Sequence, residues 1–436
     1  MDQRDAAAAA ERASPRETPA GLLRLYGGVQ HYAWGDPDFI PALLGIENRQ
    51  RRPYAELWLG AHPDLPAKAD VAGALVPLHT LLDQSAERIL GPEVCRALGR
   101  QLPYLLKVLS ARAPLSIQVH PSKQNAQLGF AREDAAGVPR QAPQRNYRDQ
   151  NHKPELLVAL ADFYALRGFR PLPEIAQMLS AVPEYRCLMP IFEPTSHGLT
   201  VLYQHFMNLP QPQVDAILDP LLRRLRAEHQ QHRFTRSDRE HWVLKADQET
   251  THLGHRDRGL FSIFLLNLVG LKPGEALFQP AGVLHTYLVG SGIEIMANSN
   301  NVLRGGLTTK HVDVKELLAN VEFVPQHVEI LRAVPIPGSR EWVYPAPVDE
   351  FELRRVEIAD RQPHVSRADR SAELLVLISA ADRARVTVTA EGKTLDLRQG
   401  GALLAPYGTS FTVHATAPAT LYKALVPVGP QASSYR

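Results

Sequence analysis

The chain has 436 residues, 44% of them hydrophobic and 22% charged, which is typical of folded globular proteins and excludes general disorder. Its 48 basic and 46 acidic residues give a net charge of +2, so we expect neither nucleic acid nor a membrane as a partner. Two cysteines, Cys95 and Cys187, are too few for a disulfide framework or a Cys-rich metal site. The length exceeds that of a single core, so we predict two or three structural units.

The N-terminal segment mixes charged residues with alanine and lacks the apolar run of a signal peptide. We therefore predict a disordered tail over residues 1–21. The most apolar run of the chain, Leu260–Leu271, contains Asn267 and is shorter than the roughly 20 residues that span a bilayer. These features predict a cytoplasmic protein.

Residues 22–168 contain short β-like segments, separated by proline and glycine, together with helical patterns. The β-like segments are "AELWLGAHP", "SIQVHP" and "ELLVAL", and the helical ones are "PLHTLLDQSAERILG" and "CRALGRQLPYLLKVL". In residues 169–258, apolar residues recur at three- and four-residue intervals, which predicts a helical insertion. Strand signals return over residues 259–335, where Lys272–Glu275 and Pro280–Gly282 are predicted turns. Regularly spaced short strands joined by such turns favour a jelly roll.

Residues 336–436 repeat this rhythm of strands and turns. The segment "GGALLAPYG" resembles "PGEALFQPAG", and "TSFTVH" follows it where the earlier copy has "VLHTYL". The later copy lacks the metal-type residues of the earlier one. We therefore predict a mainly β protein with α: a jelly-roll domain of residues 22–168 and 259–335, a helical insertion of residues 169–258, and a C-terminal domain of the same class, residues 336–436, without metal ligands.

The segment "LSIQVHPSK" places two polar side chains on one face of a predicted strand. Gln118 and His120 are two residues apart, so both point to the same side, which in a barrel is the interior. An unpaired buried polar group costs about 1–3 kcal/mol, so the two side chains need partners. Hydrogen bonds within the core would satisfy them, and so would a bound metal.

The segment "YRDQNHKPELL" places four chemically active side chains just before an apolar strand: Asp149, His152, Lys153 and Glu155. Pro154 favours an extended conformation at Lys153, so Lys153 and Glu155 are expected on one side of the chain. An exposed ion pair, worth about 0–1 kcal/mol, is the alternative to a functional role.

The third segment, "PAGVLHTYLVGSGIEIMANSNNVLRGGLTTKH", carries several polar side chains on predicted strands. His285 and Tyr287 share a face, and Glu294 lies between two isoleucines, which indicates a polar interior. Arg304 precedes two glycines that permit an otherwise strained turn. A solvated loop arginine is the alternative at that position.

Four of these residues combine the ligand types of a metal site: Gln118, His120, Glu155 and His285. Zinc accepts His nitrogen and carboxylate oxygen, and catalytic zinc sites keep a position open for water or substrate. Non-haem Fe(II) uses a similar set of two histidines and one carboxylate. The ligand types alone therefore leave both metals open.

These motifs resemble those of type I mannose-6-phosphate isomerase, the phosphomannose isomerase family. The segment "YRDQNHKPE" matches the family's signature Tyr-x-Asp-x-Asn-His-Lys-Pro-Glu at every specified position. Residues 285–310 follow its second signature, His-Ala-Tyr, then Glu-x-Met-Ala-x-Ser-Asp-Asn and Arg-Ala-Gly-x-Thr-Pro-Lys. The segments "YAWGD", "YAELWLGAHP", "YLLKVLS" and "PLSIQVHPSK" are similar to the family's N-terminal blocks, so the resemblance runs from about Gly28 to Leu318.

The resemblance implies cupin-type jelly-roll barrels and a zinc-dependent aldose–ketose isomerase that interconverts mannose 6-phosphate and fructose 6-phosphate. It implies a sugar phosphate as the small-molecule partner and gives Arg304 the position of the catalytic arginine. The implied ligands of one zinc ion per chain are Gln118, His120, Glu155 and His285. We also predict a monomer.

The chain departs from the second signature at four positions. Thr286, Gly305 and Thr309 replace Ala, Ala and Pro, and we expect these changes to be neutral. Asn300 replaces the Asp of Ser-Asp-Asn, which removes a carboxylate beside the expected pocket. An asparagine keeps a hydrogen bond there but not the charge, so we expect an effect on activity or sugar preference.

Isomerisation requires a base that moves a proton between two adjacent carbons through a cis-enediol. Lys153 and Glu294 are the two predicted bases: Glu294 has the suitable chemistry, whereas Lys153 would need a lowered pKa. A zinc ion or Arg304 would supply positive charge to the enediolate oxygen.

The phosphate needs a cationic site of its own, for which Lys310, Arg304 and Lys153 are the nearest cations in the motifs. The predicted substrate contacts are Ser116, Tyr287, Lys310 and Asn300. Two other classes of protein share parts of this pattern. A cupin Fe(II) oxygenase would use the same ligands without needing the cations, and a non-catalytic sugar-phosphate-binding protein would be compatible with Asn300.

Overall fold

The computed structural model describes residues 21–251, 254–359, 362–366 and 371–428 of the chain. Of the tail predicted to be disordered, residues 1–20 lie outside these ranges. None of the helices in the described part has both the length and the apolarity needed to cross a membrane. Helices and extensive antiparallel sheets are combined, which confirms the predicted class, mainly β with α.

The strands of the described residues form three sheets. In chain order they are β1 (Leu23–Tyr26), β2 (Gly28–Gln30), β3 (Glu56–Gly60), β4 (Lys68–Val71), β5 (Ala74–Pro77), β6 (Tyr104–Ala111), β7 (Ile117–Val119), β8 (Glu155–Ala159), β9 (Phe163–Phe169), β10 (Leu266–Leu271), β11 (Glu275–Gln279), β12 (His285–Ala297), β13 (Leu303–Gly306), β14 (Leu331–Arg332), β15 (Val334–Pro335), β16 (Glu341–Tyr344), β17 (Glu352–Ile358), β18 (His364–Ser366), β19 (Glu373–Ala380), β20 (Val386–Ala390), β21 (Lys393–Leu397), β22 (Ala402–Ala405), β23 (Phe411–Ala415) and β24 (Ala419–Leu425).

The first barrel is the eleven-stranded sheet of β2, β3, β6, β7, β8, β9, β10, β11, β12, β13 and β14. The helices of the described residues lie mainly between its strands in the sequence. In chain order they are α1 (Phe39–Leu44), α2 (Leu78–Leu90), α3 (Pro92–Leu98), α4 (Lys123–Ala135), α5 (Leu172–Ala181), α6 (Ser196–Asn208), α7 (Gln211–Gln231), α8 (Arg239–Thr250), α9 (Gly259–Leu265) and α10 (Val314–Asn320), with a 3-10 helix at Pro183–Ile191.

Strand β12 organises the first barrel because it belongs to both of its walls. From Gly290 onward it pairs with β6 and β8, while its first residues pair with β7 and β9. The ladder is irregular between Tyr287 and Val289, and Gly290 has a φ of 130°, a conformation that favours glycine. The strand therefore passes from one wall to the other at this point.

The wall formed by β6, β8 and β12 is buried on both faces. Leu157 of β8 and its neighbour Leu277 of β11 point into the barrel. The alternate residues Leu156 and Ile293 pack in a second core, which is shared with the nine-stranded sheet that contains the C-terminal strands. This alternation has the period of two that a strand imposes. By the same alternation, Glu155 points into the barrel interior.

The C-terminal barrel combines a nine-stranded sheet with a four-stranded one. The nine-stranded sheet has the order β15-β16-β17-β24-β19-β22-β1-β4-β5, and Leu23 of β1 lies opposite Leu404 of β22. This sheet joins N-terminal strands from the predicted domain of residues 22–168 to strands of residues 336–436. The predicted division into domains stays a prediction.

Helices α5 to α9 pack on the wall of the first barrel that contains β7, β9 and β10. Their apolar faces share one core with Ile117, Leu166 and Leu266 of these strands. Arg239 of α8 donates hydrogen bonds to the backbone carbonyls of Ile263 and Leu266, at the C-terminal end of α9. These bonds satisfy carbonyls that a helix end leaves unpaired.

The structure corrects two local predictions. Residues 104–111 form strand β6, although "CRALGRQLPYLLKVL" has helical spacing, and residues 259–265 form helix α9, where the sequence predicts a strand. Every residue of both segments is buried. An element buried on all sides has no polar face, so its apolar pattern shows no reliable period.

A cluster of buried charges lies in the C-terminal barrel. Lys423 is 0% exposed, its Nζ donates to Glu341, and it lies 3.2 Å from an oxygen of Glu373. Arg354 also pairs with Glu341, and His364 Nε2 lies 3.2 Å from the same carboxylate. These residues belong to different strands, so no short segment of the sequence predicts the cluster.

Candidate metal centre and adjoining pocket

Three side chains of metal-ligand type meet in the interior of the first barrel. His120 follows β7, Glu155 begins β8 and His285 begins β12. Their potential ligand atoms all lie within 4.8 Å of one another, and each residue is at most 1% exposed. The sheet ladders place them here: His285 lies opposite Gln118, and Glu155 lies opposite Met296.

Backbone carbonyls determine which nitrogen of each imidazole faces the centre. His120 Nδ1 lies 2.8 Å from the carbonyl oxygen of Asn301, and His285 Nδ1 lies 3.0 Å from that of Val283. Because a carbonyl oxygen accepts, each Nδ1 carries a proton, and in the neutral imidazole Nε2 then presents a lone pair. His120 Nε2 faces Glu155 Oε1 at 3.2 Å, and His285 Nε2 faces Glu155 Oε2 at 3.3 Å.

This arrangement sets electron-donating atoms face to face. Burial lowers the pKa of His120 to about 4, and the nearby Lys153 ammonium adds to the effect, so this imidazole is neutral at pH 7. His120 Nε2 and Glu155 Oε2 have no hydrogen-bond partner among the described residues. A cation at the centre would satisfy these lone pairs, so the donor set fits a divalent metal ion.

Gln118 and Arg304 lie beside the centre in one row across three strands. Gln118 is opposite His285 on one side and Arg304 on the other, so the three side chains share a face. The Gln118 amide nitrogen lies 3.3 Å from His285 Nε2, and a half-turn of the amide would present its oxygen there instead. Within the described part of the chain, the Arg304 guanidinium makes no hydrogen bond or ion pair, so its donors are available for an anion.

Two lysines form ion pairs with the three carboxylates around the centre. Burial alone would raise the pKa of Glu155, but Lys153, whose Nζ lies 2.5 Å from Oε1, holds it well below its usual range. Lys107 of β6 lies 3.0 Å from Glu294 Oε2 and 3.3 Å from Glu56 Oε1. Burial raises the pKa of Glu294 in spite of the Lys107 charge. Glu294 therefore binds a proton at a higher pH than an exposed glutamate does.

Lys107 and Glu56 are absent from the residues predicted from the sequence. Both lie in strands of almost continuous apolar sequence, where a single charged residue was the available signal. Trp58 Nε1 donates to Glu56 at 2.7 Å and so fixes that carboxylate beside Lys107.

A pocket of about 510 Å³ adjoins the centre. Gln118 and Glu155 line it, whereas His120 and His285 are both 0% exposed. The structure brings the other predicted site residues together in the lining, which includes Ser116, Lys153, Tyr287, Glu294, Asn300, Arg304 and Lys310. The individual roles of these residues stay predictions.

The pocket carries three cationic side chains without ion-pair partners among the described residues: Arg148, Arg304 and Lys310. Burial lowers the pKa of Arg304 and of Lys310, and the neighbouring arginine charges lower both further, so the three groups are close together. Cations held this way attract an anionic group, and Arg and Lys are the usual partners of phosphate. Arg148 was not among the predicted residues, although it lies within the signature "YRDQNHKPE".

Asn300 closes a ring of three hydrogen bonds at the pocket wall. The backbone N–H of Asp64 donates to His62 Nδ1 at 3.2 Å, so His62 Nε2 carries the proton and donates to Asn300 Oδ1 at 3.1 Å. Asn300 Nδ2 donates to Asp64 Oδ2 at 3.2 Å. Burial lowers the pKa of His62, which favours the neutral form that this ring requires. Asp64 therefore brings a carboxylate to the wall where the signature carries one at position 300.

Replacing Asn300 with Asp should destabilise the protein by about 0.5–1.5 kcal/mol at neutral pH, because the hydrogen bond to the half-exposed Asp64 is lost. The change removes the donor to Asp64 and sets two carboxylates side by side, so the pKa of His62 should rise. Urea unfolding and an NMR titration of His62 measure the two effects.

The double variant Asp64→Asn, Asn300→Asp is the matched control. It restores one donor and one acceptor between the two positions, so it should regain most of the lost stability. An Asn300→Asp variant with unchanged stability and an unchanged His62 titration would contradict the ring.

The fold and the site define a jelly-roll protein with a metal-type centre beside a cationic pocket. Residues 22–172 match the family model described as phosphomannose isomerase type I, catalytic domain. The chain is 38% identical to mannose-6-phosphate isomerase of Escherichia coli (strain K12) over 79% of this chain and 86% of that protein. It is 32% identical to the Homo sapiens enzyme over 94% of this chain and 98% of the relative. This chain belongs to the type I phosphomannose isomerase family.

A solved structure of the same family agrees with this assignment. Mannose 6-phosphate isomerase from Salmonella typhimurium, bound to its substrate fructose 6-phosphate and to a zinc atom, aligns with a TM-score of 0.82 at 33% identity. The alignment covers 94% of this chain and 100% of the Salmonella chain.

Proposed function

We propose that this protein is a zinc-dependent aldose–ketose isomerase that interconverts mannose 6-phosphate and fructose 6-phosphate. Family membership and the Salmonella relative bound to fructose 6-phosphate and zinc support this function. The observation that carries it is the group His120, Glu155 and His285, whose facing lone pairs adjoin a pocket with three unpaired cations in the described chain.

Zinc suits a donor set of two imidazoles, one carboxylate and one amide. The residues that would hold one zinc ion per chain are Gln118, His120, Glu155 and His285. When bound, zinc would supply positive charge close to the reacting oxygens of the sugar and so favour an oxyanion there.

The chain itself supplies the group that moves the proton. Conversion of the aldose to the ketose removes a proton from C2 and returns one to C1 through a cis-enediol(ate). We assign this role to Glu294, which lines the pocket and whose pKa burial raises. Lys153 is the weaker choice because its ammonium already donates to Glu155 at 2.5 Å.

The three cations divide the negative charge of the substrate between them. Arg304 lies in the row beside the metal centre, so we place it at the developing enediolate oxygen. Lys310 and Arg148 are then available for the phosphate group. The remaining proposed substrate contacts are Ser116, Tyr287 and Asn300.

We also propose that the protein acts as a cytoplasmic monomer. Both cysteines are free, which suits a reducing compartment. The proposed site residues line one pocket of a single chain, which is compatible with a monomer.

A coupled assay for the formation of fructose 6-phosphate from mannose 6-phosphate tests the proposed function. We expect the purified protein to be active, to lose most of its activity when a chelator removes the metal, and to regain it with added zinc. Activity that persists after complete removal of the metal would contradict the zinc-dependent mechanism.

The same preparation distinguishes the two other classes of protein. An Fe(II) oxygenase would contain iron and consume oxygen, which elemental analysis and an oxygen electrode detect. A sugar-phosphate-binding protein would bind mannose 6-phosphate without turnover. Either result would replace the isomerase assignment.

A further inference from the structure

Gln279 is a fully buried polar side chain that the proposed mechanism does not use. It is 0% exposed, and neither its Nε2 nor its Oε1 has a hydrogen-bond partner among the described residues. Leaving both ends of an amide unpaired in the interior destabilises a folded protein. A leucine would fill the same space without that penalty, so the polar group calls for a function.

The sheet ladder places this side chain beside the metal centre. Gln279 ends β11 directly opposite Glu155 of β8, so the two side chains are on the same face with Cβ atoms about 4.5–5.5 Å apart. The preceding residue on that face, Leu277, packs in the barrel interior with Leu157, which it opposes. Gln279 therefore points into the barrel at the level of the centre.

Gln279 approaches Glu155 from the side away from the pocket. Met296 flanks Glu155 on the opposite strand and lines the pocket, whereas the described lining does not include Gln279. Lys153 donates to Glu155 Oε1, but Oε2 has no hydrogen bond from any described residue. The carboxylate thus has an unfilled acceptor position, and the amide beside it has unused donors.

We propose that Gln279 is a positioning residue of the metal centre, whose side-chain amide donates a hydrogen bond to the Glu155 carboxylate when zinc is bound and so increases the affinity for zinc. This role rests on the zinc ion of the proposed function. Outer hydrogen bonds to metal ligands typically change metal affinity by about 10–100-fold. Gln279 would thereby stabilise the zinc-loaded protein at the expense of the metal-free one.

The variant Gln279→Leu separates this role from a purely structural one. Competition of the zinc-loaded protein against a chelator of known affinity should show binding about tenfold weaker than in the original protein. The zinc-free variant, in contrast, should be more stable than the zinc-free original protein. Its Tm should be higher by about 2 °C, because two unpaired polar atoms are gone. Gln279→Met keeps the unbranched shape of the side chain and should have the same two effects. It replaces Gln279→Leu in the experiment if leucine impairs folding.

Leu277→Met is the matched control, since it is a volume-conserving change on the same face of β11 and should leave zinc affinity unaltered. Zinc affinity within twofold of the original in both Gln279 variants would overturn the positioning role, whatever happens to Tm. Absence of zinc binding by the unsubstituted protein would instead overturn the proposed function, and this role with it.

Discussion

Replacing Arg304 with Ala should lower kcat by about 10²–10³-fold while the zinc content and the folding of the protein stay unchanged. The guanidinium forms no ion pair within the described residues, so its removal leaves no internal carboxylate without a partner. Its proposed task begins when charge develops on the enediolate oxygen, so the loss should fall on kcat more than on KM. Steady-state kinetics, elemental analysis and thermal unfolding measure the three quantities.

Lys310→Ala and His285→Ala are the controls for this experiment. Lys310→Ala should mainly raise KM, because a phosphate contact is made equally in the ground state and the transition state. His285→Ala should lose bound zinc, since it removes a proposed ligand. Loss of zinc from the Arg304 variant, or an effect confined to KM, would contradict the role given to Arg304.

Much of the site could be predicted from the sequence because the relevant residues lie in short segments with a strong local pattern. Gln118 and His120 are two polar residues at a spacing of two in an apolar strand, and the structure places both at the metal-type centre. The local sequence pattern does not identify the catalytic base or the metal. The spacing places Lys153 and Glu155 on one side of the chain, but the choice between Lys153 and Glu294 also depends on the burial that raises the pKa of Glu294, which the spacing does not show.

Other parts depend on pairings between distant residues, and no local pattern carries them. Gln279 follows a turn-and-strand pattern and looks ordinary until the ladder sets it opposite Glu155. The pairing of Leu23 with Leu404 joins strands at the two ends of the chain. Asp64 and Asn300 are also far apart in the sequence. The sequence shows that Asn300 lacks the carboxylate of the signature. It does not show that Asp64 supplies a carboxylate at the same wall of the pocket.

Replacing Lys423 with Met should lower the free energy of unfolding by about 3–5 kcal/mol. Methionine keeps the length of the side chain but removes the ammonium that lies between Glu341 and Glu373, so two buried carboxylates lose a counter-charge. Urea denaturation measures the change. Lys393→Met in the same barrel is the matched control: this lysine is exposed, and its replacement should change the free energy by no more than about 0.5 kcal/mol.

The effect of Lys423→Met should depend on pH with a definite sign. Burial alone would raise the pKa of Glu341, but Lys423, His364 and Arg354 together hold it well below its ordinary value. Such a carboxyl stabilises the folded state above its unfolded pKa of about 4.3, and the contribution is lost as the pH falls toward the folded pKa. Without the ammonium, the pKa of Glu341 is lowered less. The difference in the free energy of unfolding between the variant and the original protein should therefore be largest near pH 7 and should become smaller below about pH 4. A difference that is constant from about pH 7 to pH 3 would show that Lys423 does not stabilise the folded protein through these carboxylates.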